Sequence, residues 1–364
     1  MHAACIALAL AGLPAALCLA NLLLLPRAAG EAPEGALISI LIPARNEAAN
    51  IAACLRAALA STAPVEVIVM DDGSEDATAS LVTGLAGGEP RLRLLSAPPL
   101  PPGWTGKVHA CARLAEAARG THLLFIDADV RLAPAAAGRL AGHAARRGLA
   151  LVSGVPRQRV RSLGEALTVP AINLLLLGYL PAVGRAFTSR PGFAAACGQL
   201  LLCEAEAYRA AGGHAAVRGV LHDALALARL FRAAGRRTEM VAGAPLAECR
   251  MYGGFREAWG GFLKNAREGM ATPLGLPVWT VLLAGAHLWP WALLPDPKAA
   301  AALLLTFAVR AIITWRMREP GWTVPLHPLT IAVALAIQWT ALARAALGRP
   351  AGWKGRAYPA TRAA

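Results

Sequence analysis

Several short polar clusters in this chain follow directly on apolar runs, and their residue types suit the handling of a diphosphate. Asp127-Ala128-Asp129 comes after the run 123–126. Two carboxylates at i and i+2 past a strand can aim at one hard cation, and Mg2+ and Mn2+ take oxygen ligands and share them with substrate phosphates. Neutralising the charge that develops on a departing phosphate makes a diphosphate a good leaving group. Asp71-Asp72-Gly73-Ser74 follows the run 65–70, with Asp76 and Thr78 just beyond. One of those aspartates can accept hydrogen bonds from a base or ribose, while Gly73 makes the turn and Ser74 or Asp76 caps the next helix. Lys107 closes Pro101-Pro102-Gly103-Trp104-Thr105-Gly106 and opens a helix. There a cation and the helix N-terminus meet a diphosphate together. Asp223, in the stretch 221–228, is the candidate general base for an attacking hydroxyl, with His222 as the weaker alternative. Singly, these are also the residues of acidic turns, capped turns, surface lysines and first-turn acids.

The elements around the clusters give them a common address. Residues 31–272 alternate between apolar runs and amphipathic stretches. Strands are expected at 37–42, 65–70, 92–96, 123–126 and 149–153, and helices at 47–59, 107–119 and 134–147. That rhythm predicts an α/β fold: a mostly parallel sheet with helices on both faces. Ligands of such sheets bind at the carboxyl ends of the strands. Asp71, Asp72, Asp127 and Asp129 all fall there, as does the segment Pro43-Ala44-Arg45-Asn46-Glu47 after the first strand. Converging on one rim, they form a candidate site.

The chain ends read differently. Residues 3–25 carry no charged side chain, and about 20 apolar residues span a bilayer as a helix. The first basic residue, Arg27, comes after the run. The positive-inside rule therefore places the N-terminus outside and the following domain in the cytoplasm. Further apolar stretches lie at 274–294, 299–315 and 325–347, with tryptophans near their ends as in an interfacial belt. The expected organisation is a transmembrane anchor (1–30), a catalytic domain (31–272), a C-terminal membrane region of two to three apolar segments (273–348) and a basic tail (349–364). Three full crossings after a cytoplasmic domain would put Arg349, Lys354, Arg356 and Arg362 outside, against their charge. Pro273, Pro277 and Pro290 make 274–294 the candidate for a stretch that lies in the interface or re-enters.

Composition agrees with that organisation. Of 364 residues, 56% are hydrophobic and 16% charged, with a mean hydropathy of +0.48. Soluble domains carry about 25% charged residues, so the apolar excess belongs to the terminal segments. The net charge of +14 favours anionic headgroups and nucleotide phosphates. The basic residues are scattered, with few aromatics between them, which argues against nucleic acid. No pair among the seven cysteines has zinc-ligand spacing, and all read as reduced residues of a cytoplasmic protein.

In order along the chain, PARNEAANI (43–51), DDGSEDAT (71–78), LPPGWTGK (100–107), FIDAD (125–129), ACGQLLLCEAEAYRAAGGH (196–214), HDALALA (222–228), MYGGFREAWGGFLKN (251–265) and WKGRAY (353–358) resemble the family 2 inverting glycosyltransferases. The likeness is greatest to a membrane-bound branch with carotenoid-type and hopanoid-associated enzymes. It implies a GT-A fold, a nucleotide-sugar donor of the UDP type, one Mg2+ or Mn2+, and a lipid or other amphiphilic hydroxyl acceptor at the inner membrane. It implies roles as well. Asp127 and Asp129 match the metal motif, with Asp127 also at the diphosphate. Asp71 and Asp72 match the nucleoside pair, with Pro43, Arg45, Glu47 and Lys107 also on the donor side. Gly198 and Gln199 match the acceptor-side loop, with His222 and Trp259 near it, and Asp223 matches the base. His222 stands where the family usually has Glu, which bears on the pH optimum. The Gln-x-x-Arg-Trp motif of polymer synthases is absent, so single-sugar transfer is expected. The rival functions are transfer to a polyprenyl phosphate, nucleotidyl transfer, which would want a Gly-rich first loop, and a non-catalytic membrane scaffold.

Overall fold

A computed structural model describes residues 2–349, 351–353 and 356–358; Lys354 and Arg362 of the basic tail lie outside them. The chain divides into two compact units, one of residues 25–157 and 184–249, the other of residues 1–24, 158–183 and 250–364. The second unit thus takes 158–183 from within the stretch 31–272.

The first unit is built on a sheet. Its strands, in chain order, are β1 (Ile38–Ala44), β2 (Val65–Asp71), β3 (Leu92–Ser96), β4 (His122–Phe125), β5 (Val130–Leu132), β6 (Leu151–Gly154), β7 (Arg157–Gln158), β8 (Leu201–Glu204), β9 (Thr238–Val241) and β10 (Ala247–Cys249). The main sheet has the order β3-β2-β1-β4-β8-β6-β9. Neighbours run parallel except at β8, which is antiparallel to both β4 and β6. β5, β10 and β7, in that order, form a separate three-stranded sheet in which β5 and β10 are antiparallel. The sequence Ile-Ser-Ile-Leu-Ile of β1 is buried on both faces, as helix-covered parallel strands require. Ala110 and Leu114 of helix Gly106–Ala117, and Leu227 and Phe231 of helix Asp223–Ala233, pack with Leu41, Ile68 and Phe125 in one buried cluster.

The expected elements are present, with shifted ends. β1 and β2 each run past the end expected for them, because Pro43-Ala44 pairs with Met70-Asp71. The helix expected from residue 47 starts at Ile51. Before it, the backbone N–H groups of Asn46, Glu47 and Ala48 are taken by Ser74, Thr78 and Asp76 side chains. Asp76 also accepts from the Thr78 N–H at 2.9 Å, ahead of the N-cap Ala77 of the helix Thr78–Ala86.

In the second unit, His2–Leu24, Pro297–Arg316 and Gly321–Ala346 are long and apolar enough to cross a membrane. The stretch 274–294 is instead a 13-residue helix, Gly275–His287, followed by the turn Trp289–Ala292. At 1.5 Å per residue that helix is about 20 Å long, short of a hydrocarbon core of about 30 Å. Polar side chains inside this unit meet each other. Arg310 pairs with Glu319 at 2.6 Å, and Glu319 accepts from Asn173 at 2.6 Å. All seven cysteines are free.

Candidate active site

Parallel register sets the rim. Ala44 stands beside Asp71, and Leu41 beside Phe125, so the chain leaves β1, β2 and β4 at the same edge. The Ile126 N–H still bonds Leu41 O at 3.1 Å, which carries the ladder to the threshold of Asp127. The loops after β1 and β2 are laced together. Arg45 donates to the carbonyls of Asp72 (2.5 Å) and Gly73 (3.1 Å), and the Glu75 N–H bonds Asn46 Oδ1 at 2.8 Å. Asp71 accepts from the Ser74 N–H, and the Asp72 N–H bonds Ala44 O. Pro43 stays in the strand, and Glu47 accepts from Asn50 at 3.1 Å.

Lys107 joins two carboxylates. Its Nζ lies 2.7 Å from Asp127 Oδ1 and 3.9 Å from Asp223 Oδ2. The loop ahead of Lys107 is tied to the loop ahead of Asp223, since Thr105 donates to Arg218 O and Val220 O. Asp223 is the first residue of its helix, behind His222 at the N-cap. Burial raises the Asp223 carboxyl, but the Lys107 ammonium and the His214 ring outweigh it and hold the group well below the usual carboxylate range.

Gly198 completes the gap between these charges. A Cβ there would sit 3.1 Å from Lys107 Nζ and 3.4 Å from Asp223 Oδ1. The loop is pinned by Ser153, whose hydroxyl accepts from the Cys197 N–H and donates to Leu200 O. The Gln199 amide donates to Cys249 Sγ at 3.0 Å. That ties it to the floor beside Asp129, to which the Cys249 thiol also bonds.

Asp129 supplies the test of a cation. Its Oδ1 is buried without a hydrogen-bond partner. Burial first, then the charges of Asp127 and Glu47, push its carboxyl up to about 7. A buried oxygen left unpaired beside a second carboxylate fits a dication, which would supply the missing partner and the missing charge.

Two expected residues stand differently. His222 is half-buried at the N-cap, directly ahead of Asp223. Trp259 lies on helix Phe255–Asn265 of the second unit, its ring 5.6 Å from that of Phe255. Conversely, the site contains residues that sequence patterns do not single out. Cys111 and His214 present ligand-type atoms within 4.8 Å of each other and of Asp223. The only sequence signal for His214 is its position at the end of the stretch 196–214.

Residues 39–198 match the family described as Glycosyl transferase family 2. They are a family 2 domain. It covers β1, β2, β4, Lys107 and both metal-type carboxylates, but ends ahead of Asp223. The 4,4'-diaponeurosporenoate glycosyltransferase of Staphylococcus aureus (strain USA300) is 28% identical over 239 residues, 64% of this chain. The match spans 61% of that relative's length. A mannosyltransferase from Pyrobaculum calidifontis, solved in complex with GDP-Man and Mn2+, superposes with a TM-score of 0.58 at 21% identity. It covers 94% of this chain and 98% of its own. The family 2 domain therefore has the GT-A fold expected of it.

Proposed function

We propose that this chain is a membrane-bound glycosyltransferase that moves one sugar from a nucleotide-sugar, of the UDP type, to the hydroxyl of a lipid, with inversion. The observation that carries the proposal is the line Asp129, Asp127, Lys107, Asp223. It comprises a partnerless buried oxygen, a 2.7 Å ion pair and a buried carboxylate 3.9 Å further on. A divalent cation, Mg2+ or Mn2+, held by Asp127 and Asp129 would neutralise the departing diphosphate. Lys107 adds a fixed positive charge on the same side. The laced loops hold Asp71, Asp72, Arg45 and Glu47 together for the nucleoside. Asp223 takes the proton of the acceptor hydroxyl as its oxygen bonds the anomeric carbon. The bond from that carbon to the diphosphate breaks, and its electron pair leaves with the nucleotide. Gly198 keeps the space between Lys107 and Asp223 open.

A lipid acceptor is supported by the apolar helices and by the name of the staphylococcal relative, a carotenoid-type enzyme. The domain faces the cytoplasm in this proposal. Arg27 follows the first crossing, and two later crossings return a tail carrying Arg349 and Lys354 to the same side.

Mass spectrometry of lipids from cells with and without the gene tests the proposal. A gene-dependent lipid heavier by one sugar is expected. Calorimetry should show UDP binding that requires Mn2+; a chain that binds no nucleotide under these conditions is a scaffold. Asp223→Asn should lower kcat about 100-fold or more. Retention of most activity would point to a phosphate acceptor, which needs no base.

A further inference from the structure

We propose that His214 is the positioning residue of Asp223: its Nε2–H steers the carboxylate, and Tyr208 fixes the ring nitrogen that carries the proton. The inference rests on Asp223 acting as the base.

Tyr208 Oη accepts from the His214 backbone N–H at 2.9 Å and lies 2.7 Å from His214 Nδ1. A phenol has one proton. Among the described contacts of the phenol, Nδ1 is the acceptor within reach of that proton, and we infer that it goes there. Nδ1 is then an acceptor, and the ring proton sits on Nε2. Nε2 is buried, makes no hydrogen bond, and stands 3.6 Å from Asp223 Oδ2. That is just beyond hydrogen-bond range. A buried donor left unpaired is costly, and Asp223 is the carboxylate within reach. Catalytic pairs commonly stand loose before substrate arrives and tighten in the complex.

Every group facing the ring fits this role. Asp223 comes from helix Asp223–Ala233, Lys107 and Cys111 from Gly106–Ala117, and Tyr208 from Ala205–Ala210. The Phe125 ring of β4 meets His214 edge to face at 4.8 Å. Burial lowers the His214 pKa against the pull of Asp223, which favours the neutral ring, and the single proton of a neutral ring has to be on the correct nitrogen. The backbone is shaped for this contact. Gly212 and Gly213 have φ of 82° and 50°, and a Cβ on Gly213 would lie 2.4 Å from the Tyr208 ring.

The test uses the full chain in lipid nanodiscs, comparing His214→Ala, His214→Gln and Tyr208→Phe with wild type. His214→Ala should lower kcat about 10- to 100-fold, the worth of one hydrogen bond to a charged group. The KM for the donor and Mn2+-dependent UDP binding should not move. The acid limb of the kcat/KM profile should shift to higher pH, because Asp223 loses a donor to its charged form. His214→Gln should restore part of the loss through its amide N–H. Tyr208→Phe, which keeps the ring packing, should lower kcat by a smaller factor by freeing the tautomer. Wild-type kcat and an unshifted profile in His214→Ala and Tyr208→Phe would overturn the proposal. So would one equivalent of zinc in the purified chain that is lost in His214→Gln, because Nε2 would then be a metal ligand without a proton. Failure of the wild-type chain to bind UDP with Mn2+ would instead remove the parent assignment.

Discussion

Lys107 Nζ stands 2.7 Å from Asp127 and 3.9 Å from Asp223, so in the proposed mechanism one ammonium serves the donor side and the base at once. Lys107→Met should raise the Asp223 pKa, since a neighbouring cation that lowers it is gone. The acid limb of kcat/KM should therefore move to higher pH, which a pH–rate series would show. Gly198→Ala places a methyl 3.1 Å from the same ammonium, and kcat should fall with protein stability little changed. Asp129 makes a separate prediction about the metal. Its carboxyl is raised to about 7, above an unfolded value of about 3.9. Without a cation, the charged form destabilises the fold increasingly as pH rises through that window. A cation has to displace the proton at pH 6 but not at pH 8. Calorimetric Mn2+ affinity should thus rise about tenfold between those two values; a flat profile would remove Asp129 from the ligand set.

At the scale of elements, the rim is held by polar ties and by the register between strands. The Arg45 loop grips the Asp72-Gly73 turn through carbonyl oxygens, so the proposed nucleoside side depends on two loops that neither strand fixes alone. A second knot lies at the opposite edge of the sheet. Glu66 accepts from Ser39, Arg93 and the Arg119 N–H, and Gly120 donates to Ser39. Burial raises the Glu66 carboxyl, but these donors outweigh it and lower its pKa. Stability from this group is therefore complete above an unfolded pKa of about 4.3 and is lost as pH falls below it. Glu66→Ala leaves those donors without their acceptor and should cost about 1–3 kcal/mol in denaturant unfolding at pH 7. Mn2+-dependent UDP binding should be unaffected. A loss of binding at unchanged stability would mean that the two edges of the sheet are coupled.

For the whole molecule, the three membrane-length helices make a topology prediction. The N-terminus should lie outside, with the family 2 domain and the tail inside. Protease added to intact spheroplasts should leave the domain uncut, and lysis should expose it. Cys5, exposed near the start of the first helix, should react with a membrane-impermeant maleimide from outside. Labelling of Cys5 only after lysis would reverse the orientation. The buried Arg310–Glu319–Asn173 set shows how the second unit tolerates charge among apolar helices, since the one acid lies between the cation and the amide.

Local patterns already carried much of this protein in its sequence. Apolar runs that end in Asp71 or Asp127 declare strands with carboxylates at their tips, because a parallel strand is a short local pattern and its carboxyl end is fixed by direction alone. The apolar terminal runs declare helices of membrane-crossing length for the same local reason. Helix starts were less legible: Ile51 begins its helix only after side chains from the neighbouring loop have taken the N–H groups of residues 46–48. His214 and Tyr208 were illegible. Nothing near them in the chain names Asp223 as their neighbour, and their contact depends on β8 entering the sheet antiparallel beside β4. The sheet order brings residues 107, 127, 214 and 223 together, and hydrogen bonds and charge act over a few ångströms of space whatever the separation in sequence.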